Sequence, residues 1–202
     1  MVDEKVGLEV KWVGGSNGVE GQTMKCLRCG SEKSEKRRES HGLVGLPGII
    51  LVGVWVERCL DCGEYEVEIP RHSRLMEVVT RGILNKRGRL VGMEIRWLRG
   101  ELEMTGVELA RHVGVSGESV SKWERDQMKQ SPPVDLLLRM LVGRRLGEGV
   151  FPEEALPLVS TEEREPLRMR LRFDEGDWKM EGGSEKGVVS DPTQAVWVPL
   201  SL

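Results

Sequence analysis

The spacing of apolar residues changes character twice along the chain. Within the segment from Cys26 to Cys62, the stretch GIILVGVWVERC at residues 48–59 is β-branched and extended, which predicts strands. In HSRLMEVVTRGILNK, residues 72–86, Leu75, Met76, Val79, Ile83 and Leu84 recur at helical spacing with Arg71, Arg74, Arg81 and Lys86 around them. That pattern predicts a basic helix linking two small domains. From residue 92 to residue 146 the helical period takes over fully, and breaks at MTG, VGVSG and KQSPP divide it into four or five short helices.

The flanks lack such order. Residues 1–23 include GGSNGVEGQ and read as a flexible leader, expected to be dispensable because MKCLRCG opens on an internal methionine, Met24. Beyond Leu146 the chain turns acidic and proline-spotted, although LRMRLRF and QAVWVPLSL each suit one edge strand. No run approaches the roughly 18 apolar residues of a membrane span, and the acidic N-terminus lacks the basic start of a signal peptide. The expected compartment is the cytoplasm, with no membrane partner.

Charge becomes informative only when divided along the chain. The formal net charge of -3 separates into 2 basic and 4 acidic groups over residues 1–23, 22 and 17 over 24–146, and 6 and 12 over 147–202. The middle is basic between acidic ends, which permits contact with a polyanion without establishing it.

The chemistry is concentrated in the cysteines. All four fall in two copies of one pattern, CLRCG at Cys26 and Cys29 and CLDCG at Cys59 and Cys62. A CxxC pair followed by glycine makes a tight turn in which two thiolates face one point and backbone N–H groups reach the sulfurs. Two such turns supply the closed tetrahedral set that zinc favours. Two disulfides would need an oxidising compartment, unrelated buried thiols would leave the duplication unexplained, and a redox CxxC would need only one pair. With four protein ligands no position stays open for water or substrate, so the expected Zn2+ holds a small module together and does not catalyse.

In MTGVELARHVGVSGESVSKWERDQ the apolar residues Val107, Leu109, Ala110, Val113, Val115, Val120 and Trp123 are spaced as two short helices around a turn at Gly114, with Thr105 and Ser116 as their caps. The second helix turns Val120 and Trp123 inward and Gly117, Glu118, Ser121, Lys122 and Arg125 outward, as a helix reading base edges would. An ordinary surface hairpin would show the same spacing. The expected DNA-contacting set is Ser116, Gly117, Glu118, Ser119, Ser121, Lys122 and Arg125. Glu118 either accepts from cytosine or pairs with Lys122 four residues on.

LARHVGVSGESVSKWE resembles the Cro/repressor-type (XRE) helix-turn-helix. The resemblance implies that Glu124 is buried and paired with an arginine of the preceding helix, for which Arg99 in EIRWLRGEL is the best-placed candidate. The family usually has a glutamine after the cap where Gly106 stands here, which removes one side-chain phosphate contact. Over residues 24–146, the order CxxCG, strands, CxxCG, linker helix and helix-turn-helix resembles the MqsA-like, or YgiT-type zinc-finger, antitoxin and regulator family. That resemblance implies autorepression by a dimer, a zinc module able to bind a toxin, and base reading at Glu118 and Lys122.

The expected architecture is therefore α+β: a leader over 1–23, a four-cysteine zinc-binding β module over 24–70, a basic linker helix over 71–90, an all-α helix-turn-helix domain over 91–146 and an acidic tail over 147–202. The expected function is a DNA-binding transcriptional regulator, a repressor, acting on double-stranded DNA as a homodimer. An antitoxin bound to its toxin and a zinc-ribbon protein-interaction adaptor are the alternatives. No constellation suggests an enzyme, and His41, His72 and His112 read as surface or capping residues.

Overall fold

The computed structural model describes residues 25–86, 88–147 and 164–181. The leader and QAVWVPLSL lie outside them. The chain order is β1 (Ser34–Leu43), β2 (Leu46–Cys59), β3 (Tyr65–Glu68), α1 (His72–Asn85), α2 (Gly92–Glu101), α3 (Gly106–Val113), α4 (Gly117–Glu124), α5 (Pro132–Arg145), β4 (Met169–Asp174) and β5 (Asp177–Met180). A mixed α+β fold results, with a β-rich N-terminal region followed by helices.

The sheet is organised by β2. On one side β1 pairs with it antiparallel across a two-residue turn that closes at Gly45, φ 84°. Its other side is shared: β3 pairs antiparallel with Trp55–Arg58, and β4 pairs parallel with Ile49–Val52. LRMRLRF was expected to be an edge strand, but β5 covers its far side, so β4 lies inside the sheet and β5 takes the edge. Alternation sets which face of β4 meets the core, since Leu167, Met169 and Leu171 are buried while Arg168, Arg170 and Arg172 are exposed. Parallel strands need a long crossover connection. Here that crossover contains the five helices of the described residues.

The buried residues form one cluster, running from Ile49, Leu51 and Leu171 of the sheet through Leu75, Val79 and Ile83 of α1 to Leu98, Leu109 and Trp123. α1 is thus a packed element, with Trp97 of α2 donating to Thr80 Oγ1 at 3.0 Å. Backbones approach closely at two glycines. A Cβ on Gly48 would lie 2.2 Å from the Leu167 carbonyl oxygen, and one on Gly92 would lie 2.6 Å from the carbonyl oxygens of Trp123 and Glu124.

Two buried acids organise the helical region, and the first also reaches the segment that leads into β4. Glu94 accepts from Lys86 Nζ at 2.6 Å, from Val91 N at 2.9 Å and from Leu167 N at 2.7 Å. Asp135 accepts from Leu90 N, Gln130 Nε2 and Arg139 Nε at 2.7–2.8 Å. The remaining Arg139 nitrogens donate to the carbonyls of Leu84, Lys86 and Gly88 at 2.8–2.9 Å, with a longer bond to Ile83. They satisfy the acceptors that the end of α1 leaves open.

Candidate metal centre and nucleic-acid interface

The two cysteine turns are built alike. In the first, Gly30 N donates to Cys26 O at 2.7 Å and Cys26 N to Ser31 O at 2.8 Å; in the second, Gly63 N donates to Cys59 O at 3.0 Å and Cys59 N to Glu64 O at 2.8 Å. Gly30 and Gly63 sit at φ 75° and 74°, a left-handed geometry that a side chain would strain. The end of β2 carries Cys59, and the backbone of Leu60 donates to Lys33 O, which sets one turn against the other.

All four sulfurs lie within 4.8 Å of one another, with Cys26 to Cys62 and Cys29 to Cys59 at 3.6 Å. A tetrahedral site with metal–sulfur bonds near 2.3 Å has edges of about 3.8 Å, so the set fits an ion. The backbone N–H groups of Cys62 and Asp61 bring the Cys59 thiol down to about 7. At Cys29 the Ser31 backbone acts in the same sense, but hydrogen bonds from Cys62, burial and the other two thiols hold it at about 12. Such crowding of protonated thiols is relieved when a cation replaces the protons.

On the helical side, Thr105 Oγ1 accepts from Glu108 N at 3.2 Å and Glu108 Oε2 accepts from Thr105 N at 2.7 Å, a reciprocal cap that starts α3. Gly114 ends it at φ 72°, and Ser116 Oγ accepts from Ser119 N at 3.1 Å to start α4. Leu109, Ala110, Val120 and Trp123 are buried where the two helices meet. Val107, expected among them, is 55% exposed: it lies away from the Leu109–Ala110 stripe, with its Cγ2 3.6 Å from where a Cβ on Gly117 would stand.

The residues expected to contact DNA differ in exposure. Ser116, Glu118, Ser121 and Arg125 are exposed, while Gly117, Ser119 and Lys122 are partly covered. Lys122 Nζ lies 2.8 Å from Glu118 Oε1, and that ammonium holds the Glu118 carboxyl below its usual range. Arg125 Nε donates to Ser121 O at 3.2 Å. The far end of α4 is clamped: Arg99 Nε donates to Glu124 Oε1 at 2.6 Å and Nη2 to Oε2 at 3.2 Å, while Nη1 reaches Met104 O at 2.8 Å. Arg96 adds a 3.4 Å contact to the same carboxylate.

Three contacts near α4 had no signal in the spacing. Asp126, at φ 55°, accepts from Gly92 N at 2.9 Å and from Arg164 Nη2 at 2.8 Å, and Arg164 also donates to Leu90 O. Lys129 stands exposed in the loop after α4.

The helix-turn-helix family profile matches residues 95–142, which takes in α3, α4 and most of α2 and α5. No curated protein and no solved structure matches the chain. The chain thus carries a helix-turn-helix domain, which supports binding to double-stranded DNA, beside four cysteines able to hold a metal ion. Among the described residues no helix is long and apolar enough to cross a membrane.

Proposed function

We propose that the protein is a sequence-specific transcriptional regulator, a repressor, which reads the major groove with α4 and carries a structural zinc ion on Cys26, Cys29, Cys59 and Cys62. The observation that carries the reading is the division of α4, with Val120 and Trp123 buried against α3 while Ser116, Glu118, Ser121 and Arg125 remain exposed, inside the segment that matches the helix-turn-helix family. Caps at Ser116 and the Arg99–Glu124 clamp pre-organise that helix. Zinc is favoured by the all-thiolate donor set, and four protein ligands leave it no open position for catalysis. A reducing cytoplasm keeps those thiols available.

A single eight-residue helix buries too little surface for useful specificity, so the protein acts as a homodimer on two half-sites one helical turn apart. Leu137 and Met140 of α5 offer the dimer surface, whereas Leu138 is committed to the core and Leu141 packs against it. Selection of duplexes from a random pool, followed by titration at several salt concentrations, tests the reading. Enrichment of a two-half-site sequence with affinity falling steeply in salt is expected. An unenriched pool refutes it.

A second reading rests on the tips of the cysteine turns. Leu27 and Leu60 occupy the same place in the two turns and are 86% and 60% exposed. Paired apolar tips suit a protein partner at the metal module, as an antitoxin or adaptor would need.

A further inference from the structure

The two cysteine turns are joined to each other as well as built alike. The third residue of each CxxC pair bonds the residue that follows the glycine of the other turn: Arg28 Nη1 donates to Glu64 Oε2 at 3.1 Å, and Asp61 Oδ2 accepts from Ser31 Oγ at 2.6 Å. The residues reached are themselves fixed, because the carbonyls of Ser31 and Glu64 accept from the backbone N–H of the first cysteine in their own turns. On the Ser31 side the bonds close a ring. Leu60 N donates to Lys33 O, Lys33 N donates to Ser31 Oγ, and Ser31 donates to Asp61, the neighbour of Leu60.

We propose that Arg28–Glu64 and Ser31–Asp61 are positioning pairs for the metal centre: they hold the two turns together, with sulfurs of opposite turns 3.6 Å apart, and so slow release of the ion. The proposal rests on the zinc reading of the four cysteines and adds residues to it. Each turn fixes its own two sulfurs, but a tetrahedral ion needs both turns at once. Release requires one turn to part from the other, and contacts across the gap return it before the second pair of sulfurs lets go. Charge alone gives a different expectation. Four thiolates around a divalent cation carry a net negative charge, so a nearby carboxylate disfavours the loaded site and a guanidinium favours it. On that basis loss of Asp61 or Glu64 tightens the site and loss of Arg28 loosens it. Positioning makes all three changes loosen it, and Ser31→Ala, which alters no charge, loosens it too.

The test uses full-length protein loaded with zinc and follows transfer of the ion to an excess of a chromophoric chelator. Ser31→Ala and Asp61→Ala should each speed release about 3- to 10-fold, below the roughly 10- to 100-fold typical of groups bonded directly to a ligand, and the double variant should release no faster than the quicker single one. Arg28→Ala and Glu64→Ala should each speed it about 2- to 5-fold, as suits an ion pair at 68% and 49% side-chain exposure, and Arg28→Glu/Glu64→Arg should return toward the wild-type rate. With Co2+ in place of zinc, every variant should keep the thiolate-to-cobalt charge-transfer absorption of the wild type, since the sulfurs themselves are untouched. If Asp61→Ala and Glu64→Ala release zinc no faster than wild type while Arg28→Ala releases it faster, the groups act as charges alone and the positioning role is wrong. Additive effects within each pair, or loss of the cobalt absorption in a variant, overturn it as well. Wild-type protein that takes up no zinc refutes the metal reading first, and the pairs with it.

Discussion

Replacing Arg139 with methionine tests how α5 is fixed to the end of α1 and the segment that follows it. The side chain is buried and makes one bond to Asp135 together with bonds to the carbonyls of Leu84, Lys86 and Gly88. Methionine keeps much of the length and none of the donors. Removing one partner of a buried ion pair costs about 3–5 kcal/mol. Each orphaned buried carbonyl adds about 1–3 kcal/mol unless water reaches it. Asp135 retains Leu90 N and Gln130 Nε2, which holds the charge contribution at about 3 kcal/mol, and a shift of the end of α1 toward solvent leaves one of the three carbonyls dry at about 1 kcal/mol, so the loss is about 4 kcal/mol. With a urea slope of about 2 kcal/mol per molar, the midpoint should fall by about 2 M. Arg139→Lys should be intermediate, because one ammonium cannot span both the carboxylate and the carbonyls. Arg139→Met/Asp135→Asn should recover part of the loss by removing the stranded charge. A midpoint shift below about 0.5 M for Arg139→Met, or a double variant no more stable than the single one, refutes this account of the hub.

Protein purified without chelator should hold one zinc per chain, and Cys59→Ser should lose it and unfold the strands beside the cysteine turns; unchanged metal content by elemental analysis would count against the site. Gly92→Ala should cost about 1–3 kcal/mol, read as a lowered melting temperature, because its Cβ meets the Trp123 and Glu124 carbonyls at 2.6 Å; an unshifted transition would mean that α2 and α4 can separate freely. Arg125→Ala should weaken cognate and scrambled duplexes alike and reduce the salt slope by about one unit, and a selective loss on the cognate site would make Arg125 a reading residue. Sedimentation at micromolar concentration should give a dimer, and a monomer that binds its site tightly would remove the need for two half-sites.

The features that could be read from the sequence are local ones. CxxCG encodes its own turn, since both ligands and the left-handed glycine lie within one short motif, and the two copies place that glycine at φ 75° and 74°. Thr105, Gly114 and Ser116 mark helix ends by chemistry that acts within three or four residues. Glu124 and Arg99 are 25 positions apart and became visible only through resemblance to a family. The hub at Asp135 and Arg139 was invisible because two charges at i and i+4 in PVDLLLRMLVGRR look like a solvated helix pair. Burial of that pair depends on the acceptors at the end of α1, more than 50 positions away. The inward place of β4 was missed for a similar reason: alternating arginines read as an edge, and nothing local says that another strand will cover it.

Those non-local contacts also explain why the helix-turn-helix domain does not hang from the strands by α1 alone. Because β2 and β4 are parallel, the chain must leave the sheet, build the helices and return to the same strand. The return segment meets the helices on its way. Arg164 binds Asp126 just beyond α4 and Leu90 just before α2, and Leu167 N binds Glu94 before Met169 pairs with Ile49. α4 is therefore held from the α2 side by Gly92 and Arg99 and from the strand side by Arg164. A helix fixed at that many points loses little further conformational freedom on entering a groove, which favours affinity without adding contacts. The same anchoring ties the orientation of α4 to β2, the strand whose end carries Cys59, so the four-cysteine cluster and α4 share one framework.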